Sequence, residues 1–333
     1  MRIGVAGVGR IGAYHARTLT EIDEVDSLVV ADAVPSRAAD VAAGLGAAHV
    51  ATPNDLFAAG IDGLVIAAAT DAHAALILGA VDAGIPVFCE KPVAPDAAGT
   101  RVVLEKVRMS AVPVQVGFQR RFDAGFTAAR DAVVAGELGW VHTLRAGTLD
   151  PAPPSPEYIA SSGGLFRDCS VHDFDAIRWV TGNEIVEVYA LGANRGASFF
   201  RDAGDVDTAA ALLTLTDGSF AHVAATRYNA AGYDVRLEVL GSTQSISVGL
   251  DEHLPLRSAE RGVTFPGGTP WPAFRQRFHP AYVAELTAFT DIVAGRAEPT
   301  CTVADALEAF LIAEACELSR AEHRPVQLAE VRA

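Results

Sequence analysis

Cysteine is scarce in this 333-residue sequence, with four residues at Cys89, Cys169, Cys301 and Cys316. No two of them form a C-x-x-C pair, and their spacings suit neither a zinc cluster nor a disulfide framework. Free thiols in a reducing compartment are therefore expected. Long apolar runs are also missing, since none reaches the roughly 18–20 residues of a membrane span. Strand-like sequence begins at Arg2, which leaves no room for a signal peptide. The expectation is a cytoplasmic protein with no membrane partner. Positive charge is in deficit, with 26 Lys and Arg against 41 Asp and Glu and a net charge of −15. That argues against nucleic acid, whose phosphates need a basic surface. It leaves open a single phosphate site at a helix N-terminus, which needs no net positive charge. No internal repeat or low-complexity tract is present.

Half of the residues are apolar and a fifth are charged, the profile of an ordinary globular protein. The length suggests two domains at about 100–200 residues each. Within residues 1–120, unbroken apolar runs at 3–6, 27–31, 63–69, 86–89 and 113–117, with a weaker one at 48–50, read as buried strands. Helical periodicity separates them at 11–20, 36–44, 72–83 and 97–109. That alternation predicts a doubly covered parallel sheet with crossover helices, a Rossmann-type dinucleotide-binding domain. Beyond 120 the pattern changes. Helices are expected at 124–135 and 165–180, and strands with period-2 character at 140–149, 185–191, 208–216, 219–227, 235–240 and 245–248. Asp217-Gly218 between two of these is a hairpin signal. Residues 121–333 thus read as an α+β substrate and oligomerisation domain with a large, open, antiparallel-rich sheet. Residues 151–156 hold four prolines and must be irregular, 253–275 reads as a second long loop, and two helices close the chain. Those last helices are free to pack back on the first domain.

The first strand runs into Gly7-Val8-Gly9-Arg10-Ile11-Gly12, a G-x-G-x-x-G sequence. The motif alone is weak, but here it follows a strand and opens a helix. Gly7 permits the tight turn, Gly9 lets the backbone approach a pyrophosphate, and Gly12 allows close helix–strand packing. The helix N-terminus then attracts the phosphates. Asp32 ends the second strand, 20 residues after Gly12, where a carboxylate binds ribose hydroxyls and repels a 2′-phosphate. NAD is therefore expected in preference to NADP, and Arg37 is the one feature that softens the choice.

Two places carry candidate chemistry. Glu90-Lys91-Pro92 ends the fifth strand, and carboxyl ends of strands in such sheets face the ligand crevice. On position alone, Lys91 reads equally as a surface lysine at a turn. The second place is Asp168-Cys169-Ser170-Val171-His172-Asp173-Phe174-Asp175. At about 100° per residue, Asp168, His172 and Asp175 fall within about 60° on one helix face. A carboxylate one turn from a histidine can orient the ring and raise its basicity. His172 is then a candidate base for a hydroxyl proton, and a core histidine paired for structure is the alternative. A metal site on Asp168 and His172 is disfavoured, because no third ligand cluster is visible.

These residues together give the sequence a resemblance to the glucose–fructose oxidoreductase / inositol dehydrogenase / rhizopine-catabolism (Gfo/Idh/MocA) family, nearest the bacterial inositol 2-dehydrogenases. The resemblance spans essentially the whole chain. It rests on Gly7–Gly12, on Ala69-Thr70-Asp71-Ala72-His73, on Cys89-Glu90-Lys91-Pro92 and on the stretch from Val114 to Asp123. Asp168 through Asp175, Gly232-Tyr233-Asp234, and the 271–278 and 281–289 stretches add to it. It implies that Lys91 hydrogen-bonds the reacting hydroxyl, that His172 is the general acid/base, and that Asp168 positions His172 or a substrate hydroxyl. It further implies that Gly7, Gly9, Arg10, Ile11, Gly12, Asp32, Thr70, His73, Glu90 and Lys91 lie along the cofactor. Arg121, Asp175 and Tyr233 match positions at or near the sugar site. His73 is expected at a helix start or the cofactor's edge rather than in the chemistry, and His15 as structural or near the pyrophosphate.

The implied activity is oxidation of one secondary hydroxyl of a cyclitol or sugar, with NAD as hydride acceptor. Segments 148–158 and 161–167, and Ala230-Ala231, depart from the inositol enzymes and leave the substrate open. Alternatives are a relative that retains NAD while processing a glycoside, a sugar or nucleotide sensor, or a reductase of the biliverdin or dihydrodiol type. The sensor reading sits poorly with the presence of both Lys91 and His172, and the reductase reading with Asp32. A homo-oligomer, dimer or tetramer, is expected through the open sheet.

Overall fold

A computed structural model describes residues 1–332. The chain divides into two compact units. Unit 1 is Met1–Phe122 together with Pro280–Leu307, and unit 2 is Asp123–His279 together with Glu308 onward. Pro280–Leu307 thus returns from the 121–333 half to the nucleotide-binding half.

Unit 1 contains six parallel strands: β1 (Arg2–Ala6), β2 (Ser27–Ala31), β3 (Ala48–His49), β4 (Gly63–Ile66), β5 (Val87–Glu90) and β6 (Val114–Gly117). Their order is β3-β2-β1-β4-β5-β6, so the winding reverses between β1 and β4. Ligands of such sheets bind at that reversal, beyond the carboxyl ends of the strands. Crossovers are made by α1 (Arg10–Leu19), α2 (Pro35–Leu45), α3 (Thr70–Asp82) and α4 (Ala97–Arg108). Pro35 starts α2 at its first turn, where its missing N–H costs nothing, and Gly46 closes it in the left-handed conformation. Ile3, Val5, Val30, Val65 and Phe88 are buried between these layers, which explains the unbroken apolar strands. Leu286 and Phe289 from the returning segment join the same core.

Unit 2 contains α5 (Ala124–Val134), β7 (Val141–Leu149), α6 (Pro156–Ser161), α7 (Val171–Thr181), β8 (Ile185–Ala193), α8 (Phe199–Asp202), β9 (Thr208–Leu215), β10 (Phe220–Thr226), β11 (Asp234–Gly241) and β12 (Ser245–Val248). The short helix α9 (Phe274–Arg277) follows, and α10 (His279–Val293) leads into unit 1. Helix α11 (Val303–Glu322) brings the chain back, and β13 (Val326–Gln327) completes the sheet. The seven-stranded order is β12-β11-β7-β10-β9-β8-β13, antiparallel except for the parallel pair β7–β10. Asp217 and Gly218 do make the β9–β10 hairpin, with Gly218 at φ +84°. One face of the sheet is apolar and buried, including Leu144, Leu213, Val223 and Leu237, with α7 packed on β7 and α5. On the alternate positions Leu191, Leu212 and Phe220 are half exposed. The proline-rich 151–156 stretch is irregular only as far as Ser155, which caps α6 by accepting from the Tyr158 N–H, with Pro156 at the first helical position.

Candidate active site

In unit 1 the motif residues meet at the carboxyl edge of the sheet. Gly7, just past β1, has φ +88°, and a Cβ there would lie 2.4 Å from the Ala68 backbone. A Cβ on Gly12 would lie 1.9 Å from the Gly7 carbonyl oxygen. A Cβ on Gly9 would meet nothing within 4 Å. The turn is therefore closed on two sides and open at Gly9. Helix α1 starts there with no side-chain cap and no acidic residue in its first turn, so its dipole favours an anion. Asp32 follows β2 and is 4% exposed. Its Oδ2 accepts the Val8 N–H and its Oδ1 the Val34 N–H, each at 2.9 Å, and Arg37 pairs with Oδ1 at 3.0 Å. Asp32 thereby ties the glycine turn to its own loop. The residues present fit a dinucleotide: Gly9, Arg10 and Ile11 would hold its phosphates and Asp32 its ribose.

Thr70 is the first residue of α3. His73, one turn further, is buried and places one ring nitrogen on each of two carbonyls, Nδ1 at 2.7 Å from Pro92 and Nε2 at 3.0 Å from Ala68. Its ring is committed to tying the turn after β4 to the turn after β5. His15 is fully buried, and its Nε2 lies 2.7 Å from Glu90 Oε1. Lys91 follows Glu90 at the strand end and is half-buried. It is one of two lysines among 26 basic residues, a signal in the sequence worth more than its position at a turn. Arg121 is buried within unit 1, donating to the Thr300 carbonyl at 2.7 Å and lying 3.3 Å from Asp305. Burial would raise the Asp305 carboxyl, but Arg121 and the Thr302 hydroxyl and N–H hold it below its usual value.

Unit 2 contains the second group. The expected uniform helix from 165 to 180 is interrupted. Phe166–Ser170 forms a π-helical turn, and α-geometry begins only at Val171. Such turns are frequent at functional sites. Asp168 lies in the π-turn, and His172 and Asp175 lie in the α-helix that follows it. Asp168 and His172 are half-buried, whereas Asp175 is wholly buried. Asp173 is buried too and accepts the Thr148 hydroxyl at 2.7 Å.

Side chains from other segments hold Asp168. Arg227, at the end of β10 and 3% exposed, donates to Asp168 Oδ2 at 2.6 Å and to Asp150 Oδ2 at 2.7 Å. The Tyr158 hydroxyl donates to Asp168 Oδ1 at 2.9 Å. Burial pulls the Arg227 guanidinium down, but Cys169, Asp168 and Asp150 beside it push it well above its usual value. One fixed cation thus serves two carboxylates and keeps Asp168 an acceptor. Sequence reasoning missed Asp150, Tyr158 and Arg227. The first two lie in the 148–158 loop that departs from the inositol enzymes, and an arginine closing an apolar strand was the signal for the third. Tyr233 is buried, its N–H donating to the Trp271 carbonyl and its ring edge-on to Phe278.

Residues 1–118 match the model of the GFO/IDH/MocA oxidoreductase family's NAD-binding Rossmann fold, and residues 126–247 match that of its C-terminal domain. The chain belongs to this family. It is an NAD-dependent oxidoreductase with the Rossmann and mixed-sheet units expected. Over 326 residues it is 40% identical to a myo-inositol dehydrogenase of Streptomyces leeuwenhoekii, covering 96% of this chain and 97% of that protein. The crystal structure of a myo-inositol dehydrogenase from Corynebacterium glutamicum superposes with a TM-score of 0.90 at 35% identity, covering 98% of each chain. A scyllo-inositol dehydrogenase from Lactobacillus casei, solved with bound NAD(H) and scyllo-inositol, gives 0.89 at 30% identity over 99% of each chain. Among the described residues no helix is long and apolar enough to cross a membrane.

Proposed function

We propose that this chain oxidises one secondary hydroxyl of a cyclitol of the inositol type to the ketone. The observation that carries the reading is the full-length likeness to an enzyme solved with NAD(H) and scyllo-inositol, in a chain that has both Lys91 and His172. NAD, when bound, accepts the hydride from the carbinol carbon. Lys91 hydrogen-bonds the reacting hydroxyl and stabilises negative charge as it develops on that oxygen. His172 takes the hydroxyl proton as the C=O bond forms, and returns it in the reverse reaction. Asp168, fixed by Arg227, is a positioning acceptor for His172 or for a neighbouring substrate hydroxyl. Asp175, Tyr233 and Arg121 are the candidate residues for the polyol's side. A neutral polyol suits a site rich in carboxylates, because each hydroxyl donates to an acceptor.

The test is NADH formation by the purified protein, with NAD and NADP in parallel, against myo-, scyllo- and chiro-inositol, common hexoses and glycosides. Turnover with NAD and an inositol isomer is expected. Turnover confined to a hexose or glycoside would move the substrate class, and NAD binding without any turnover would overturn the dehydrogenase reading.

The same reading includes a homo-oligomer. Leu191, Leu212 and Phe220 stand half exposed on adjacent strands β8, β9 and β10, an apolar strip that a second copy would bury. Light scattering should show more than one chain per particle, and Leu212→Asp with Phe220→Asp should yield monomers. A monomeric wild type would contradict it.

A further inference from the structure

Unit 1 contains a charged group that the proposed chemistry does not use. Glu285 lies on α10, in the segment that returns to the Rossmann unit, and none of its surface reaches solvent. Among the described residues neither of its carboxyl oxygens meets a hydrogen-bonding side chain. Around it are Glu90 from the end of β5 and the Phe118 backbone just past β6, and Glu90 in turn holds His15 of α1. His15 bonds Glu90 at 2.7 Å and is boxed in by the rings of Phe88 and Tyr282, 5.7 and 5.6 Å away. Tyr14 closes the group edge-on to Tyr282. Gln115 approaches through the Glu285 backbone carbonyl, not through the carboxyl. The titratable and charged groups on the surrounding elements are therefore His15, Tyr14, Glu90, Tyr282 and, next along the chain from Glu90, Lys91.

Two carboxylates with one histidine in so dry a site would repel each other without compensation. We propose that Glu285 is a positioning residue carried as the uncharged acid, which leaves the negative charge to Glu90, keeps Glu90 on His15, and so fixes the strand end that bears Lys91. The direction of its titration agrees. Burial pushes the Glu285 carboxyl well above its usual value and Glu90 pushes it further, with only the Phe118 N–H pulling it down. When pH rises far enough to ionise Glu285, its charge opposes that of Glu90 and the Lys91 turn loosens.

The sign of the stability effect follows. Unfolded, Glu285 ionises near its ordinary value of 4.5. Folded, it keeps its proton, so its contribution is whole below that pH and is lost as pH rises, until the carboxyl ionises in the fold as well. Glu285→Gln, which cannot ionise, should be more stable than the wild type at pH 7, with a gap in Tm that is small at pH 5 and widens by about 3 °C per pH unit. The ring nitrogen shifts of His15, followed by NMR, should step at alkaline pH in the wild type and stay level in Glu285→Gln. An alkaline fall of kcat/KM with NAD and myo-inositol is expected in the wild type and should be absent in the variant. A less stable Glu285→Gln with a constant Tm gap, or an unchanged alkaline limb and His15 step, would overturn the proposal. Should the variant fail to fold, infrared spectroscopy of the wild type decides. The carbonyl band of a protonated carboxylic acid at pH 7, lost at high pH, is expected, and its absence contradicts the idea. The activity arm rests on the dehydrogenase reading. A wild type without turnover would sink that reading, and the Tm and NMR arms would still decide the role of Glu285.

Discussion

The glycine turn and the Asp168 cluster hold polar groups in place by opposite means. At Gly7–Gly12 the backbone does the work. Two missing side chains let β1, α1 and the Ala68 turn close on one another, and the nearest long-range partner, Asp32, is a short crossover away. At Asp168 side chains do the work, drawn from β7's end, the 151–161 segment and β10's end, up to 59 residues distant. A site made by backbone fails through a single added methyl group, whereas a site made by a charge network fails by degrees as its members are removed.

Gly12→Ala tests the first half. Its Cβ has no room beside the Gly7 carbonyl, so NAD affinity should fall more than about 1,000-fold, roughly 4 kcal/mol, by calorimetric titration. Gly9→Ala is the control, since its Cβ meets nothing. It should melt like the wild type yet bind NAD less tightly, because the methyl group enters the side left open to phosphate. Equal melting loss in both would mean the turn is not built as described. Arg227→Met tests the second half by leaving Asp150 and Asp168 without their cation. Breaking such a buried pair should cost about 3–5 kcal/mol in chemical denaturation. Loss of under about 1 kcal/mol would show that solvent already screens the cluster. Tyr158→Phe is the smallest step. It removes one partly exposed hydroxyl from Asp168, worth under about 1 kcal/mol in stability, and should show instead as a change in preference among inositol isomers.

The same contrast explains what could be read in advance. Residues 1–120 were legible nearly element by element, because a doubly covered parallel sheet writes each strand as an unbroken apolar run and each helix as a 3.6-residue period. Asp32 and the glycines follow from spacing alone. The return of Pro280–Leu307 to the first unit was not legible in detail, since helix periodicity does not say which core a helix joins. The π-turn at Phe166–Ser170 was hidden for a related reason. Nothing in the local pattern distinguishes it from α-helix, yet it puts Asp168 in π-geometry and His172 and Asp175 in α-geometry. Asp150 and Tyr158 were invisible, and Arg227 showed only as an arginine closing an apolar strand, because a charge network among distant residues has no spacing rule. His73 and His15 were placed near the cofactor turn, but their hydrogen bonds to the Pro92 and Ala68 carbonyls and to Glu90 needed coordinates.

The proposed chemistry turns on His172 as the base in an NAD-dependent oxidation of an inositol hydroxyl. Steady-state NADH formation by His172→Ala, measured with NAD binding on the same preparation, tests it. A kcat reduced at least about 100-fold is expected, with NAD affinity within about twofold of the wild type. A variant that turns over normally, or one that loses NAD binding in step with its activity, would contradict it and make His172 a structural residue of α7.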